Sequence, residues 1–312
     1  LDYSKSIAFM RDRFVPFVDA HVSIASSPVL YGLSIYTVFS LSWNEKEKKL
    51  YAFRLKDHFR RLVSSARIMD FNSFAETWDY DRFEKMVHDL VKKNNIAEDA
   101  LVRVTVFVDA LLAGTKIHGL PMALSAYVYP MGEIVPRSGI NVCISSWRRN
   151  SDNAIPSRAK VNGGYANVAL MKNEALVNGY DDAIALDENG AVTEGTVANI
   201  FIERGGILIT PAVNFDLLEG ITRDSIIRIA HDMGIEVLER AVTRSELYIA
   251  GEVFITGSSA RITPILSIDR REIGTHGDGR IGPITTRLME KYEDIQRAHI
   301  KDYPEWRLNI GV

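Results

Sequence analysis

The segment 101–108 constrains the fold more than any other stretch. Its even positions are all valine (Val102, Val104, Val106, Val108) and its odd positions are Leu101, Arg103, Thr105 and Phe107. Side chains of a strand alternate between two faces, so β-branched residues in step predict a strand with its valine face in a core. Arg103 then lies on the opposite face, as a solvated strand residue or as a group with a partner there. A strand of this kind needs a sheet around it. Residues 30–43 and 50–53 read as further strands joined by the charged turn 44–49. Residues 57–70 read as a helix with Phe59, Leu62, Val63, Ala66 and Met69 on one stripe. A second helix reads from Asp81 as N-cap, with Phe83, Met86, Val87, Leu90 and Val91 on one face.

The pattern changes at Pro130, Gly132, Pro136 and Gly139, whose density marks a connector. This predicts a small N-terminal α/β domain over 1–127, a connector over 128–139 and a larger domain over 140–312. Beyond the connector, short strands are expected at 141–146, 182–186, 199–203, 207–210, 252–256 and 262–268. Two helices stand out at 222–233, closed by Gly234, and at 285–299. Many short strands with few helices indicate an α+β class with a β-rich core.

Composition excludes several functions. The net charge of −3 gives no basic field for nucleic acid or an anionic membrane. No apolar run approaches the roughly 20 residues that span a bilayer, and the first twenty residues lack the apolar block of a signal peptide. One cysteine, Cys143, allows neither a disulfide framework nor a cysteine-rich zinc site, and fits a cytoplasmic location. The histidines at 21, 58, 88, 118, 231, 276 and 299 form no H-x-x-x-H pair, so no metal is expected. Gly277 to Gly282 spells G-x-G-x-x-G, but Pro283 follows at once and no second strand–helix unit remains, so a loop is the better reading.

One candidate site remains. Leu218-Glu219-Gly220-Ile221-Thr222-Arg223 opens the helix that carries Ile226, Ile227, Ala230 and Met233. A helix start presents unpaired N–H groups and a positive dipole end, which suit a phosphate. Alone, a Gly-x-Thr before a helix is usually only a cap. Gly257-Ser258-Ser259 follows the apolar strand 253–256 and is, alone, an ordinary turn.

Together these pieces resemble one family. Lys160-Val161-Asn162-Gly163-Gly164-Tyr165-Ala166-Asn167 resembles the lysine segment of branched-chain aminotransferases, which are class IV enzymes using pyridoxal 5'-phosphate (PLP). The run 182–187, then Gly190 and Thr193-Glu194-Gly195-Thr196-Val197-Ala198-Asn199-Ile200-Phe201, is similar to the family's signature block. Leu218–Arg223 resembles its phosphate helix, and 254–264 its glycine–hydroxyl turn.

The resemblance implies fold type IV, with a β-barrel-like core in the larger domain, and a homodimer or assembly of dimers. It implies Lys160 as the Schiff-base lysine and proton shuttle, Glu194 at the pyridine nitrogen, and Tyr165 at the phenolic oxygen. Arg61, Ile221, Thr222 and Ser258 would hold the phosphate, and Leu218 would pack on the ring. Arg149 matches a further family arginine. The implied reaction is ping-pong transfer from L-branched-chain amino acids to 2-oxoglutarate.

The substrate side departs from the usual pattern. Where branched-chain enzymes read Y-G-x-x-x-F-E-G-I-R, this chain has Tyr31, Gly32, Tyr36, Val38 and Ser40. Tyr36, Val38 and Ser40 look more like (R)-selective amine transaminases, which use pyruvate or another 2-oxo acid. Tyr31 and Arg103 look like the branched-chain group. Substrate contacts are therefore expected at Tyr31, Tyr36, Val38, Ser40, Arg103, Ser258 and Ser259. An aminodeoxychorismate lyase-like enzyme is a third possibility on the same scaffold, and a silent PLP-binding protein is opposed by Lys160, Tyr165 and Glu194 standing together.

Overall fold

The computed structural model describes residues 5–111, 114–131, 136–274 and 277–311. Residues 132–135 of the expected connector, and His276, lie outside them. The chain divides into two compact units: Leu1–Gly132 with Ala159–Gly163 and Asp294–Val312, and Glu133–Arg158 with Gly164–Glu293.

The first unit begins with β1 (Ile7–Met10), β2 (Arg13–Pro16) and α1 (Ser27–Tyr31). It continues through β3 (Ser34–Asn44), β4 (Lys49–Phe53), α2 (Leu55–Ile68), α3 (Asn72–Thr77), α4 (Tyr80–Lys93), β5 (Ala100–Val108) and β6 (Met122–Pro130). The β3–β5 register sets Ile35, Thr37 and Phe39 opposite Val106, Val104 and Val102. Phe39 meets His58 of α2 at 5.7 Å and Phe83 of α4 at 6.5 Å, so the helices cover this face. Val102, Val104, Val106 and Val108 are all fully buried, as the alternation requires. Each such valine contributes roughly 1.5–3 kcal/mol relative to exposure.

Several boundaries differ from expectation. Residues 30–31 end α1 rather than starting a strand, because Gly32 takes a left-handed conformation (φ 68°) and closes the helix. The cap of α4 is Asp79, whose carboxylate accepts the Arg82 N–H at 2.8 Å, not Asp81. Residues 128–130, expected to open the connector, lie in β6.

The second unit holds β7 (Ile140–Arg148), α5 (Tyr165–Val177), β8 (Asp182–Leu186), β9 (Val192–Gly195), β10 (Asn199–Arg204) and β11 (Ile207–Thr210). After these come α6 (Ile221–Asp232), β12 (Val237–Glu239), α7 (Arg244–Leu247), β13 (Glu252–Gly257), β14 (Arg261–Ile268), β15 (Arg271–Glu272) and α8 (Pro283–Gln296). They form a mixed sheet in the order β12-β11-β10-β13-β14-β7-β8-β9, with β15 on β14. Ile200, Ile202, Val253, Ile255 and Ile265 share one core on this sheet. Helix α5 packs Val168, Met171 and Ala175 against Cys143, Ala183 and Ala185.

The chain ends in β16 (Arg307–Asn309), which pairs with β4 of the first unit. The first unit's sheet is antiparallel throughout, in the order β16-β4-β3-β5-β6-β1-β2.

Candidate active site

In the first unit, the segment Ala159–Gly163 lies along the edge of β3. Val161 bridges Ile35, the Lys160 carbonyl accepts the Tyr36 N–H at 3.0 Å, and the Lys160 N–H donates to Ser65 Oγ at 3.2 Å. Both backbone groups of the lysine are thus fixed before its side chain is considered. Gly163 donates its N–H to the Gly32 carbonyl at 3.2 Å, and a Cβ on Gly32 would stand only 2.6 Å from Gly163 Cα. Glycine at 32 is therefore required twice, by its φ and by this approach.

The Lys160 ammonium lies 4.9 Å from the centre of the Tyr36 ring. The Arg103 guanidinium covers the same ring at 3.7 Å, and its Nη2 donates to Asn162 Oδ1 at 2.6 Å. Asn162 in turn donates to Ser34 Oγ at 2.8 Å. Register explains the grouping: Thr105 opposes Tyr36 and Arg103 opposes Val38, so these residues share the face away from the valines. Arg103 is a partnered group, not a solvated one. A cation over an aromatic face contributes roughly 0.5–2 kcal/mol. Ser40 lies four residues further along the strand, buried, with its hydroxyl 3.1 Å from the Gln296 amide nitrogen. Val38 is half-buried. Tyr31 is exposed, and its hydroxyl accepts the Gly114 N–H at 3.1 Å.

Arg61 projects from α2 on the stripe that also carries His58 and Ser65, at offsets of three and four residues. Its Nη2 lies 3.5 Å from Thr37 Oγ1, and that hydroxyl lies 2.8 Å from His58 Nδ1. Burial, then the charges of Arg61, Arg54 and Lys160, push His58 well below its ordinary value.

In the second unit, Glu194 is buried and pairs with Arg149 Nη2 at 2.8 Å. Asn199 Nδ2 donates to Glu194 Oε2 at 3.1 Å and to the Leu218 carbonyl at 2.9 Å, while the Leu218 N–H reaches Glu194 Oε2 at 3.4 Å. A buried carboxylate must be paired and hydrogen-bonded, and this one is. Leu218 leads into Gly220, the N-cap of α6, which has no side-chain cap. Ile221 and Thr222 open the helix, both buried. A Cβ on Gly220 would collide with Asn199 Oδ1, so glycine is needed there for space although its φ of −73° suits any residue. Tyr165 begins α5, and Ser258 and Ser259 form the half-buried turn between β13 and β14.

Thus Lys160, Arg61, Tyr36, Arg103, Val38, Ser40 and Tyr31 belong to the first unit, and Glu194, Tyr165, Leu218, Ile221, Thr222, Ser258 and Ser259 to the second. The sequence reading gave no role to Asn162, Asn199, Thr37, His58 or Gln296. Asn162 and Asn199 stood inside the motifs, two residues after the lysine and five after the acid; the others carried no local signal. Cys143 is buried, and burial, then Glu174, Asp269 and Asp182, pushes its thiol up to about 11, which disfavours the thiolate. No cluster of His, Cys, Asp or Glu suited to a metal occurs among the described residues.

Each unit by itself carries groups whose chemistry suits PLP: the first a lysine with a fixed backbone, the second a buried carboxylate and a helix start without a side-chain cap. Thr256 adds a second sign: its Oγ1 is buried and makes no hydrogen bond, and it opposes Asn199 across β10 and β13. Directly opposed residues share a face, so this hydroxyl lies on the side where Asn199 meets Leu218. An unsatisfied buried hydroxyl costs roughly 1–3 kcal/mol, a penalty a ligand oxygen would remove.

Comparison with known proteins agrees. The family model for class IV amino-transferases matches residues 35–268. A "probable branched-chain-amino-acid aminotransferase" of Aquifex aeolicus is 41% identical, over 97% of this chain and 96% of its own. The branched-chain aminotransferase of Thermoproteus uzoniensis, solved with norvaline, superposes with a TM-score of 0.91 at 34% identity, covering 98% of this chain and 99% of its own. That of Thermobaculum terrenum, solved in its PLP form, gives 0.92 at 32% identity over all of both chains. Matched from end to end in sequence and in fold, the chain belongs to the class IV aminotransferases, the PLP-dependent enzymes of fold type IV.

Proposed function

We propose that the enzyme transfers the amino group of L-branched-chain amino acids to 2-oxoglutarate by a ping-pong mechanism. The observation that carries this reading is the stack of Arg103, Tyr36 and Lys160. It brings a cation able to bind a carboxylate and the Lys160 amine to one aromatic ring. A substrate with a carboxylate and an apolar side chain meets those three features. The curated relative and the solved structures named for branched-chain amino acids support the same substrate class.

PLP, when bound, supplies the electron sink that stabilises negative charge at the substrate's α-carbon. Lys160 would hold the cofactor covalently, and once the substrate's amine has displaced it, the freed Lys160 amine would remove and return the proton at that carbon. Glu194 is kept in place by Arg149 and Asn199, and would hold the proton on the pyridine nitrogen. Tyr165 would hydrogen-bond the phenolic oxygen, and Leu218 would pack on the ring. Arg61, Ile221, Thr222 and Ser258 would hold the phosphate, which would fix the reacting carbon. On the substrate side, Arg103 and the Ser258 and Ser259 turn bind carboxylates, while Tyr31, Tyr36 and Val38 wall the side chain. Ser40, engaged by Gln296, puts no charge where branched-chain enzymes usually read arginine.

Initial rates of glutamate formation from L-leucine and 2-oxoglutarate test the reading. Parallel double-reciprocal lines are expected. Intersecting lines would sink the ping-pong mechanism, and no glutamate from L-leucine, L-isoleucine or L-valine would sink the substrate class. We further propose a homodimer working in the cytoplasm. Val18, Ile24, Val29 and Leu30 expose apolar surface in one stretch of the first unit, which supports association. Light scattering should return twice the mass of the chain, and a monomer mass would contradict it.

A further inference from the structure

We propose that His58 is a positioning residue for the phosphate: it orients the Thr37 hydroxyl, and Thr37 in turn aims the Arg61 guanidinium. The inference rests on the reading of Arg61 as a phosphate-binding residue. Thr37 is fully buried on the helix-covered face of β3, and His58 is nearly so on α2. Their contact of 2.8 Å and the 3.5 Å approach of Arg61 Nη2 converge on a single oxygen.

Hydrogen counting sets the direction of the chain. Arginine only donates, so Thr37 Oγ1 accepts from Arg61. Thr37 Oγ1 has a second lone pair, but it makes no other hydrogen bond among the described residues, so its one hydrogen is satisfied only when it goes to a bare His58 Nδ1. The ring is therefore neutral, with its proton on Nε2. A ring protonated at Nδ1 would instead leave the buried Thr37 hydroxyl hydrogen without an acceptor. The surroundings agree with neutrality, since burial and the cations Arg61, Arg54 and Lys160 all disfavour a charged ring. A hydroxyl that donates becomes a better acceptor, so His58 strengthens the hold of Thr37 on Arg61. At 3.5 Å that hold is long, which orients the guanidinium without tying it down.

A histidine that merely filled the core would affect stability but would not act through Arg61. The test is the dissociation constant of PLP from purified holoenzyme, by equilibrium dialysis read at the cofactor's visible band. Thermal unfolding of each variant runs in parallel. Thr37→Val and His58→Leu should each weaken PLP about 10-fold. Thr37→Ser keeps the hydroxyl, and His58→Asn keeps an acceptor near Nδ1; both should bind PLP to within about 2-fold of the parent. In an Arg61→Ala background, Thr37→Val should change nothing further. Pyridoxal, which lacks the phosphate, should bind Thr37→Val and parent alike.

Parental PLP affinity in Thr37→Val, or equal weakening with and without Arg61, would overturn the relay while leaving Arg61 as a phosphate ligand. If Arg61→Ala alone leaves the affinity unchanged, the phosphate reading of Arg61 fails first and the relay with it. Should Thr37→Val not fold, the His58→Leu and His58→Asn pair reads the same contact.

Discussion

Replacing Gly32 by alanine should damage catalysis through the backbone, without touching a reacting group. Gly32 adopts φ 68°, where a Cβ costs roughly 1–2 kcal/mol. Its new Cβ would also stand 2.6 Å from Gly163 Cα, about 0.8 Å inside the 3.4 Å at which ordinary contact begins. The obstacle is backbone, so no side chain can swing away. Gly163 must retreat, and Lys160 lies three residues before it on the same short segment. A displacement approaching 1 Å at a catalytic group can lower turnover by roughly 100-fold. With part of the shift absorbed elsewhere, kcat should fall on the order of 10- to 100-fold. Gly119→Ala is the control. It has φ 72° with nothing within 4 Å of the added carbon, so it bears the strain without the displacement. The assay is kcat at saturating L-leucine, 2-oxoglutarate and PLP, with thermal unfolding of both variants. Gly119→Ala should lose stability and keep its turnover. If Gly32→Ala also keeps its turnover, Gly163 does not set the position of Lys160 and the reasoning fails.

Three further outcomes are expected. His58 is held neutral by burial, then by Arg61, Arg54 and Lys160. Above its ordinary value neither folded nor unfolded chain binds the proton; below it only the unfolded chain does. Stability should therefore fall by about 1.4 kcal/mol per pH unit below roughly pH 6.5, and His58→Asn should flatten that slope in urea unfolding. Gly220→Ala should displace Asn199 and cost about 2 kcal/mol, a drop of roughly 5 °C in Tm, and the effect should vanish in an Asn199→Ala background. Arg103→Met removes a charge-assisted contact, so KM for 2-oxoglutarate should rise by roughly 30-fold, with a smaller change for L-leucine. An unchanged KM would remove Arg103 from the carboxylate site.

Legibility in the sequence followed the range of the interaction. The valine strand could be read because one-sided burial leaves a period in neighbouring residues, and the Asp182–Leu186 strand because burial on both faces leaves a short, mostly apolar run. The lysine, acid and phosphate-helix segments could be read because the chemistry demands given residue types at close offsets. Helix α5 was not foreseen, since apolar residues such as Leu170, Leu176 and Val177 lie exposed as well as buried and blur its stripe. Pairings that close across the chain left no local mark. Residues 159–163 join β3, β16 joins β4, and Arg297 binds Asp99 at 2.5 Å, each across a long sequence separation. The same holds within the sites. Arg149 could be noted but its partner Glu194 could not, and Ser40 could be read as an absent arginine but not as the partner of Gln296.

The central claim is that Lys160 performs amino transfer on L-branched-chain amino acids. It is tested most directly by adding L-leucine, (R)-1-phenylethylamine or D-alanine to the holoenzyme without an acceptor and following the cofactor's visible band. The expected result is fast loss of the band with L-leucine, slow loss with the other two amines, and no band or turnover in Lys160→Ala. A band lost with the (R)-amine alone would show that Tyr36, Val38 and Ser40 set a different substrate class. A normal band and turnover in Lys160→Ala would contradict the assignment of the lysine itself.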